Sequence, residues 1–420
     1  MNKLFAIAAI AAMPALPALA APNNVEQFSV GSSPKTFQIS PRLTTLTPFL
    51  TDSQFRLFQQ TASSRGSRRL RAGSTSGYSR QAGSSSQRVS PYNYGSSCSS
   101  SSFGCISYTN ARVANSTVSS SASTANQPVG GMPYVASGKL LIAKTTAGSF
   151  NSTCSASLIG KGLLVTAAHC VHSYGNGTAG FYKSFRFIPA NNSSSNTGPY
   201  GSWDGDKILV PTVYVNGTDV CSTRGIVCNN DVAVIVLKKN SKNQYPISSS
   251  TSQIGYYAYG WNGYGFRAEG SSGTPRSMIT QLGYPSGLDS ANLMQRGDSY
   301  GQYTGTGTGS SPLNLIIGSQ MNGGSSGGPW LINFGTASTL SGSSAGAAPV
   351  RNVVQGTTSW GYTSSTIQVQ GASTFAQNSA FPNASYTEGG RDYGAGNIGA
   401  LVQAACGASG SNGQALGACF

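Results

Sequence analysis

An all-β fold is predicted for residues 126–420 on three observations. Apolar residues come in short runs of Val, Ile, Leu and aromatic side chains, the composition that suits a pleated, half-buried surface. Gly, Asn, Ser or Pro bounds each run, which supplies turns at close intervals. Almost nowhere does an apolar pattern persist at helical period, so helices are not expected to carry the core. A domain of this length can bury one large core or two smaller ones.

The strands are expected in the order "GKLLIAKT", "CSASLIGKGLLVTAAHC", "YKSFRFIPA", "GDKILVPTVYV", "NDVAVIVLKK", "LNLIIGS", "GPWLINF" and "VRNVVQGTTSWGY". No repeat at fixed period links them.

Upstream the texture differs. Residues 1–20 place Lys3 before an apolar run that ends in Ala18-Leu19-Ala20, the layout of a secretory signal peptide, so export is expected, to the extracellular space or a periplasm. No later stretch has the roughly 18 uninterrupted apolar residues of a membrane span. Residues 21–125 form a low-complexity Ser/Arg-rich region, read as a mostly disordered propeptide or linker, with one apolar interlude, "TPFLTDSQFRLFQQ".

The chain carries 26 Lys plus Arg against 11 Asp plus Glu, and the excess is uneven. Between residues 22 and 125 there are ten basic residues and two acidic ones, Glu26 and Asp52. Few aromatic residues are interleaved with "SSRGSRRLRAG", so nucleic acid is not the expected partner, whereas an anionic cell surface suits a solvated basic arm.

Eight cysteines in an exported chain are expected to pair. Spacing favours Cys98 with Cys105, Cys154 with Cys170, Cys221 with Cys228, and Cys406 with Cys419. A loop of about 15 residues, such as the second, contributes on the order of 3 kcal/mol. Without a CxxC motif and with two histidines, no metal site or cofactor is expected.

The stretch "MNGGSSGGPW" (321–330) raises the possibility of a nucleophilic serine, which needs a base, a carboxylate to orient it and backbone donors for an oxyanion. Only His169 and His172 can be the base. His169 ends the apolar "LLVTAAHC" beside a cysteine and is the expected base, and His172, in a Gly/Asn-containing loop, reads as an exposed bystander. Asp231 opens the fully apolar "DVAVIVL", a carboxylate close to a core that needs a partner such as an imidazole N–H. Capping of a turn with Asn229 and Asn230 is the alternative role. Asp204, Asp206, Asp219, Asp289 and Asp298 sit among turn residues and read as solvated.

"TAAHC", "NDVAVIVL" and "GSSGGP", in that order, resemble the chymotrypsin-fold, trypsin-like serine peptidases, as do the spacing of Cys154 and Cys170 and the strand "TSWGY" (358–362). The resemblance covers about residues 130–365 and implies two six-stranded antiparallel β-barrels. It also implies an endopeptidase working through an acyl-enzyme, with Ser326 as nucleophile, His169 as base and Asp231 as its orienting carboxylate. Gly324 and Ser326 then supply the oxyanion N–H groups, while Ser359, Trp360, Gly361 and Gln320 line the substrate site.

Ser325 stands where the animal digestive relatives carry an aspartate that pairs with a newly cut N-terminus, and Pro128-Val129-Gly130-Gly131 stands at that terminus. Activation by that ion pair is therefore not expected. "FIPANN", "GPYGSWDGDKILVP" and "LGYPSG" are similar to segments of the bacterial V8-type glutamyl endopeptidases, yet Thr358 replaces that branch's glutamate-reading histidine. With neutral Gln320 at the pocket base, a neutral P1 residue is expected. Protein or peptide substrates and a monomer are expected. An esterase with the same triad, or a catalytically silent β-barrel module for anionic surfaces, are the alternatives.

Overall fold

A computed structural model describes residues 24–29, 49–50, 106–115, 128–248, 254–268, 273–335, 348, 350–363, 367–407 and 416–419. In chain order its strands begin with β1 (Val25–Ser29), β2 (Phe49–Leu50), β3 (Tyr108–Arg112), β4 (Ser137–Ala143), β5 (Ser152–Leu158) and β6 (Leu163–Thr166). There follow β7 (Ser184–Pro189), β8 (Trp203–Pro211), β9 (Cys221–Thr223), β10 (Val227–Cys228), β11 (Ala233–Leu237) and β12 (Ala258–Tyr259). The last that matter here are β13 (Arg276–Gly283), β14 (Gln295–Thr304), β15 (Asn314–Gly318), β16 (Pro329–Ile332), β17 (Val353–Tyr362) and β18 (Val369–Thr374).

Pairing closes these strands into two six-stranded antiparallel barrels. Barrel one runs β8-β11-β6-β5-β4-β7 and closes where β7 pairs back to β8. Barrel two runs β17-β16-β13-β14-β15-β18 and closes where β18 pairs with β17. Closure removes the exposed edges that open sheets must protect.

Strands β6 and β11 of barrel one are short apolar runs because both of their faces are covered. Every residue of β11 and of β6 is buried, and the helix Gly396–Cys406 packs against β8 and β11. A strand with two buried faces loses the polar alternation of a half-exposed one. Disulfides join Cys154 to Cys170, Cys221 to Cys228 and Cys406 to Cys419, and the Cys98–Cys105 pairing lies outside the described residues.

Three pieces of the Ser/Arg-rich region lie on the barrels. β1 extends barrel one by pairing with β8, and β2 pairs in parallel with the end of β17. β3 pairs antiparallel with β14, and Arg112 forms an ion pair with Asp289. Tyr108 donates its hydroxyl to Gln368 Oε1 at 2.6 Å, and Val129 N–H donates to the Ala114 carbonyl at 2.9 Å. The expected signal peptide and residues 21–23, 30–48, 51–105 and 116–125 lie outside the described residues. Among the described residues, no helix is long and apolar enough to cross a membrane.

Candidate active site

Strand register brings His169 and Asp231 together. β11 pairs antiparallel with β6, with Ala233 opposite Thr166, so Asp231 arrives beside the short 3-10 turn Ala168–Cys170 that follows β6. His169 Nδ1 lies 2.7 Å from Asp231 Oδ2, and the His169 backbone N–H donates to Oδ1 at 2.8 Å. The carboxylate is fully buried, and the imidazole keeps 13 % of its side chain exposed. Ser359 Oγ lies 2.5 Å from Asp231 Oδ2 and 3.0 Å from the Ile226 carbonyl, and its single hydrogen is used best on the charged acceptor.

A second carboxylate holds the first in place. Asp219 accepts the Asn230 backbone N–H at 2.7 Å, the Asn230 side-chain amide at 2.8 Å and the Val220 N–H at 2.8 Å. Burial nevertheless outweighs these bonds and pushes the Asp219 carboxyl up to about 6. The reading of Asp219 as solvated is thus corrected: its bonds pull the turn before Asp231 inward. Asp289, Asp204 and Asp298 are likewise paired, with Arg112, Arg186 and Arg296.

His172 is also corrected, since it is fully buried rather than exposed. Its Nε2 donates to the Gly177 carbonyl at 2.7 Å and its ring packs edge-on against Phe181. Burial lowers its pKa. Through these contacts it braces the loop after the 3-10 turn.

Barrel two contributes the loop between β15 and β16, residues 319–328. Gly324 has φ +100°, and a Cβ there would lie 2.3 Å from the Tyr284 carbonyl oxygen. Gly327 has φ +77° and presses on Thr166 and Ser155 of barrel one. Glycine is needed at both positions, for the left-handed backbone and for the close approach. From outside, Ser155 Oγ donates to the Gly324 carbonyl at 2.8 Å and accepts Tyr284 N–H at 2.9 Å. Ser286 N–H donates to the Gly323 carbonyl at 2.6 Å, so the "LGYPSG" turn grips this loop.

The loop bridges the barrels. Ser155 N–H donates to the Ser326 carbonyl at 2.7 Å, and Gly327 N–H to the Thr358 carbonyl at 2.8 Å, one residue from Ser359. Ser325 N–H is taken by the Asn322 carbonyl at 3.0 Å, whereas the N–H groups of Gly324 and Ser326 on either side have no acceptor among the described residues. No hydrogen bond joins the Ser326 hydroxyl to the imidazole among the described residues, and His169 Nε2 has Cys170 Sγ at 3.6 Å.

A cavity of about 260 Å³ opens beside this loop, lined by Ser319, Gln320, Met321, Tyr362 and Gln368 among others. Of Gln320, Ser359, Trp360 and Gly361, the four residues expected to contact substrate, Gln320 lines this cavity. Ser359 turns its side chain to Asp231, Trp360 is buried with Nε1 donating to Asn314 Oδ1 at 2.8 Å, and Gly361 pairs with Gln370. Sequence reasoning missed the carboxylate-bracing role of Ser359 and the part played by Asp219, because neither has a local signature. The sulfur clusters Cys154–His169–Cys170 and Asp219–Cys221–Cys228 hold disulfides, whose sulfurs lack the thiolate charge a soft metal takes.

Two closed six-stranded barrels, with a His–Asp pair on one and a glycine-rich serine loop on the other, are the chymotrypsin fold. The family model described as Trypsin matches residues 123–380, more than half of the chain, and the chain belongs to the trypsin family of serine proteases. No curated protein matches it. Similar solved structures include the thermostable serine protease AL20 from an extremophilic microorganism, 22% identical, covering 58% of this chain and 92% of that one with TM-score 0.40. Protease Anisep from Arthrobacter nicotinovorans is 20% identical, covering 58% and 91% with TM-score 0.40. A Glu endopeptidase is 18% identical, covering 64% and 91% with TM-score 0.38.

Proposed function

We propose that this protein is an exported serine endopeptidase that cleaves peptide bonds through an acyl-enzyme, using Ser326, His169 and Asp231. The observation that carries the reading is the double anchoring of His169 on a fully buried carboxylate. Asp231 accepts both the ring Nδ1–H and the backbone N–H, which leaves Nε2 as the ring's lone-pair nitrogen. A base held in that tautomer removes the Ser326 proton as Oγ attacks the substrate carbonyl. The imidazolium formed is favoured by Asp231, and its Nε2–H then protonates the leaving amine. Water attacks the acyl-enzyme by the same relay and frees Ser326.

The unused N–H groups of Gly324 and Ser326 fit the developing oxyanion. Gln320 at the cavity offers an amide and no charge, which favours a neutral P1 residue over Lys, Arg or Glu. The "LGYPSG" segment, similar in sequence to one in the V8-type glutamyl endopeptidases, supports kinship with that branch.

Export follows from residues 1–20 and agrees with three disulfides. The basic region is a propeptide or linker whose release leaves β3 behind, since Tyr108 and Arg112 are bonded to barrel two. N-terminal sequencing of the secreted protein is expected to find the cut before Ile106.

The direct test is a fluorophosphonate probe on the secreted protein, with the labelled peptide identified by mass spectrometry. Label is expected on Ser326, absent in Ser326→Ala and suppressed in His169→Ala. An unlabelled, folded protein would sink the reading. Turnover of short-chain esters with casein left intact would make the protein an esterase with the same triad.

A further inference from the structure

Beneath the serine loop, barrel two carries a connected set of buried neutral polar side chains beside its apolar core of Ile279, Leu315, Ile317 and Ile332. Gln281 from β13, Thr358 from β17, Gln370 from β18, and Ser319 and Ser325 from the loop are all buried. Their hydrogen bonds can be followed atom by atom. Met321 N–H donates to Ser319 Oγ at 3.1 Å, and the Ser319 hydroxyl donates to Gln281 Oε1 at 2.7 Å. The Gln281 amide places one hydrogen on Thr358 Oγ1 at 3.0 Å and the other on Gln370 Oε1 at 2.5 Å. The Gln370 amide donates to the Met321 carbonyl at 2.7 Å and to Ser325 Oγ at 3.4 Å. The Ser325 hydroxyl donates to the Asn322 carbonyl at 2.7 Å. Trp330 Nε1–H donates to Thr358 Oγ1 at 2.9 Å, and the Thr358 hydroxyl to the Gly328 carbonyl at 3.2 Å.

Each hydrogen in this set is used once, and no donor meets a donor. Reversing Gln370 would set its oxygen against the Met321 carbonyl, and reversing Gln281 alone would set oxygen against Gln370 Oε1, so the network admits one arrangement. A buried network with every member satisfied is rigid, because any displacement strands a polar group away from water. The parts of the loop it pins are the Met321 N–H and carbonyl, the Asn322 and Gly328 carbonyls and the Ser325 hydroxyl. The unused N–H groups of Gly324 and Ser326 lie between those pins.

We infer that Gln281 and Gln370 are positioning residues that preset the Gly324 and Ser326 N–H groups for the oxyanion, with no charged group and no newly cut chain terminus involved. The inference rests on Ser326 being the nucleophile. Oxyanion donors work by being in place before charge develops, so whatever holds their loop acts on the transition state more than on substrate binding. Ser325 carries no charge to pair with an amine, and its hydroxyl is engaged on both sides.

The test compares the full chain with Gln370→Met, Gln281→Met and the double variant on a peptide ester, with fluorophosphonate labelling and thermal melts beside the kinetics. Each single variant is expected to lose roughly 10- to 100-fold in kcat with KM within about threefold. The double variant is expected to be no worse than the worse single one, because the two amides act as a unit. Unchanged kcat in the folded single variants, a loss confined to KM, or losses that multiply in the double variant would each overturn the inference. If the methionine variants do not fold, Ser325→Ala removes one hydroxyl, and a several-fold fall in kcat at constant KM is expected, whereas no change would overturn it. Failure of the unaltered chain to label or turn over would remove the serine-hydrolase reading itself, and is distinguished because it precedes any substitution.

Discussion

The two barrels solve the problem of holding a reactive group in opposite ways. Barrel one has an interior dominated by Leu140, Leu158, Leu164, Val234 and similar residues, and the group proposed to react there, His169, is held by one carboxylate, Asp231. Barrel two buries Gln281, Gln370, Thr358, Asn314 and Ser373 among its apolar residues, and spreads its polar contacts along the whole serine loop. A carboxylate orients one imidazole by a strong charge-assisted bond. A loop of several residues has no single handle, so it is held by many weak bonds whose directions agree. Apolar packing supplies stability with little direction, and the polar network supplies direction.

Asp231→Asn strikes the single handle and carries the largest expected effect. An amide that cannot accept from Nδ1–H and from the backbone at once admits the wrong tautomer, and kcat should fall by about 10⁴-fold while the fold persists. Kinetics beside circular dichroism would check this, and a loss under tenfold would show that the carboxylate is not what orients the base.

A pair of substitutions sharpens the contrast between the cores. Ile235→Ala, in the apolar core of barrel one, should cost about 2–5 kcal/mol in denaturant unfolding and leave kcat of the folded protein unchanged. Thr358→Val strands Trp330 Nε1–H and a Gln281 hydrogen, and should cost about 1–3 kcal/mol while lowering kcat roughly tenfold. Equal kcat in the two variants would erase the distinction.

Asp219 provides a pH-dependent case. Its carboxyl is raised from 3.8 to about 6, so the folded chain keeps that proton to higher pH than the unfolded chain does. Its contribution to stability is full below about pH 4 and is lost as pH rises through about 6, on the order of 1–3 kcal/mol. Unfolding free energies at pH 4 and pH 7 should differ by less, to that extent, in Asp219→Asn; an unchanged difference would place the ionised form of Asp219 in the folded protein at both values. The smallest effect belongs to the surface pair Arg186–Asp204, whose side chains are 40% and 49% exposed. Arg186→Ala should stay within about 0.5 kcal/mol in the same unfolding assay.

Much of this was legible because its signals are local. Two histidines restrict the choice of the proposed base, the apolar run "DVAVIVL" marks Asp231 as the carboxylate that His169 meets, and glycines frame the proposed nucleophile Ser326. Close spacing suggested the three disulfides that the described residues contain. β3 was missed because "YTNAR" has little apolar content, and only pairing with β14 makes it a strand. His172 was misread as exposed and Asp219 as solvated since both sit among turn residues, and the partners each side chain finds there depend on what packs over the turn.

By itself the amino-acid sequence determined the class of fold, the kinds of reactive group available and their order along the chain, because strand runs, turn residues and residue types are properties of short segments. Tertiary structure alone decided which acceptor each hydrogen uses. Gln281 meets Gln370 across 89 positions and Ser359 meets Asp231 across 128, and contacts that distant are set by barrel closure and strand register, which no short segment encodes.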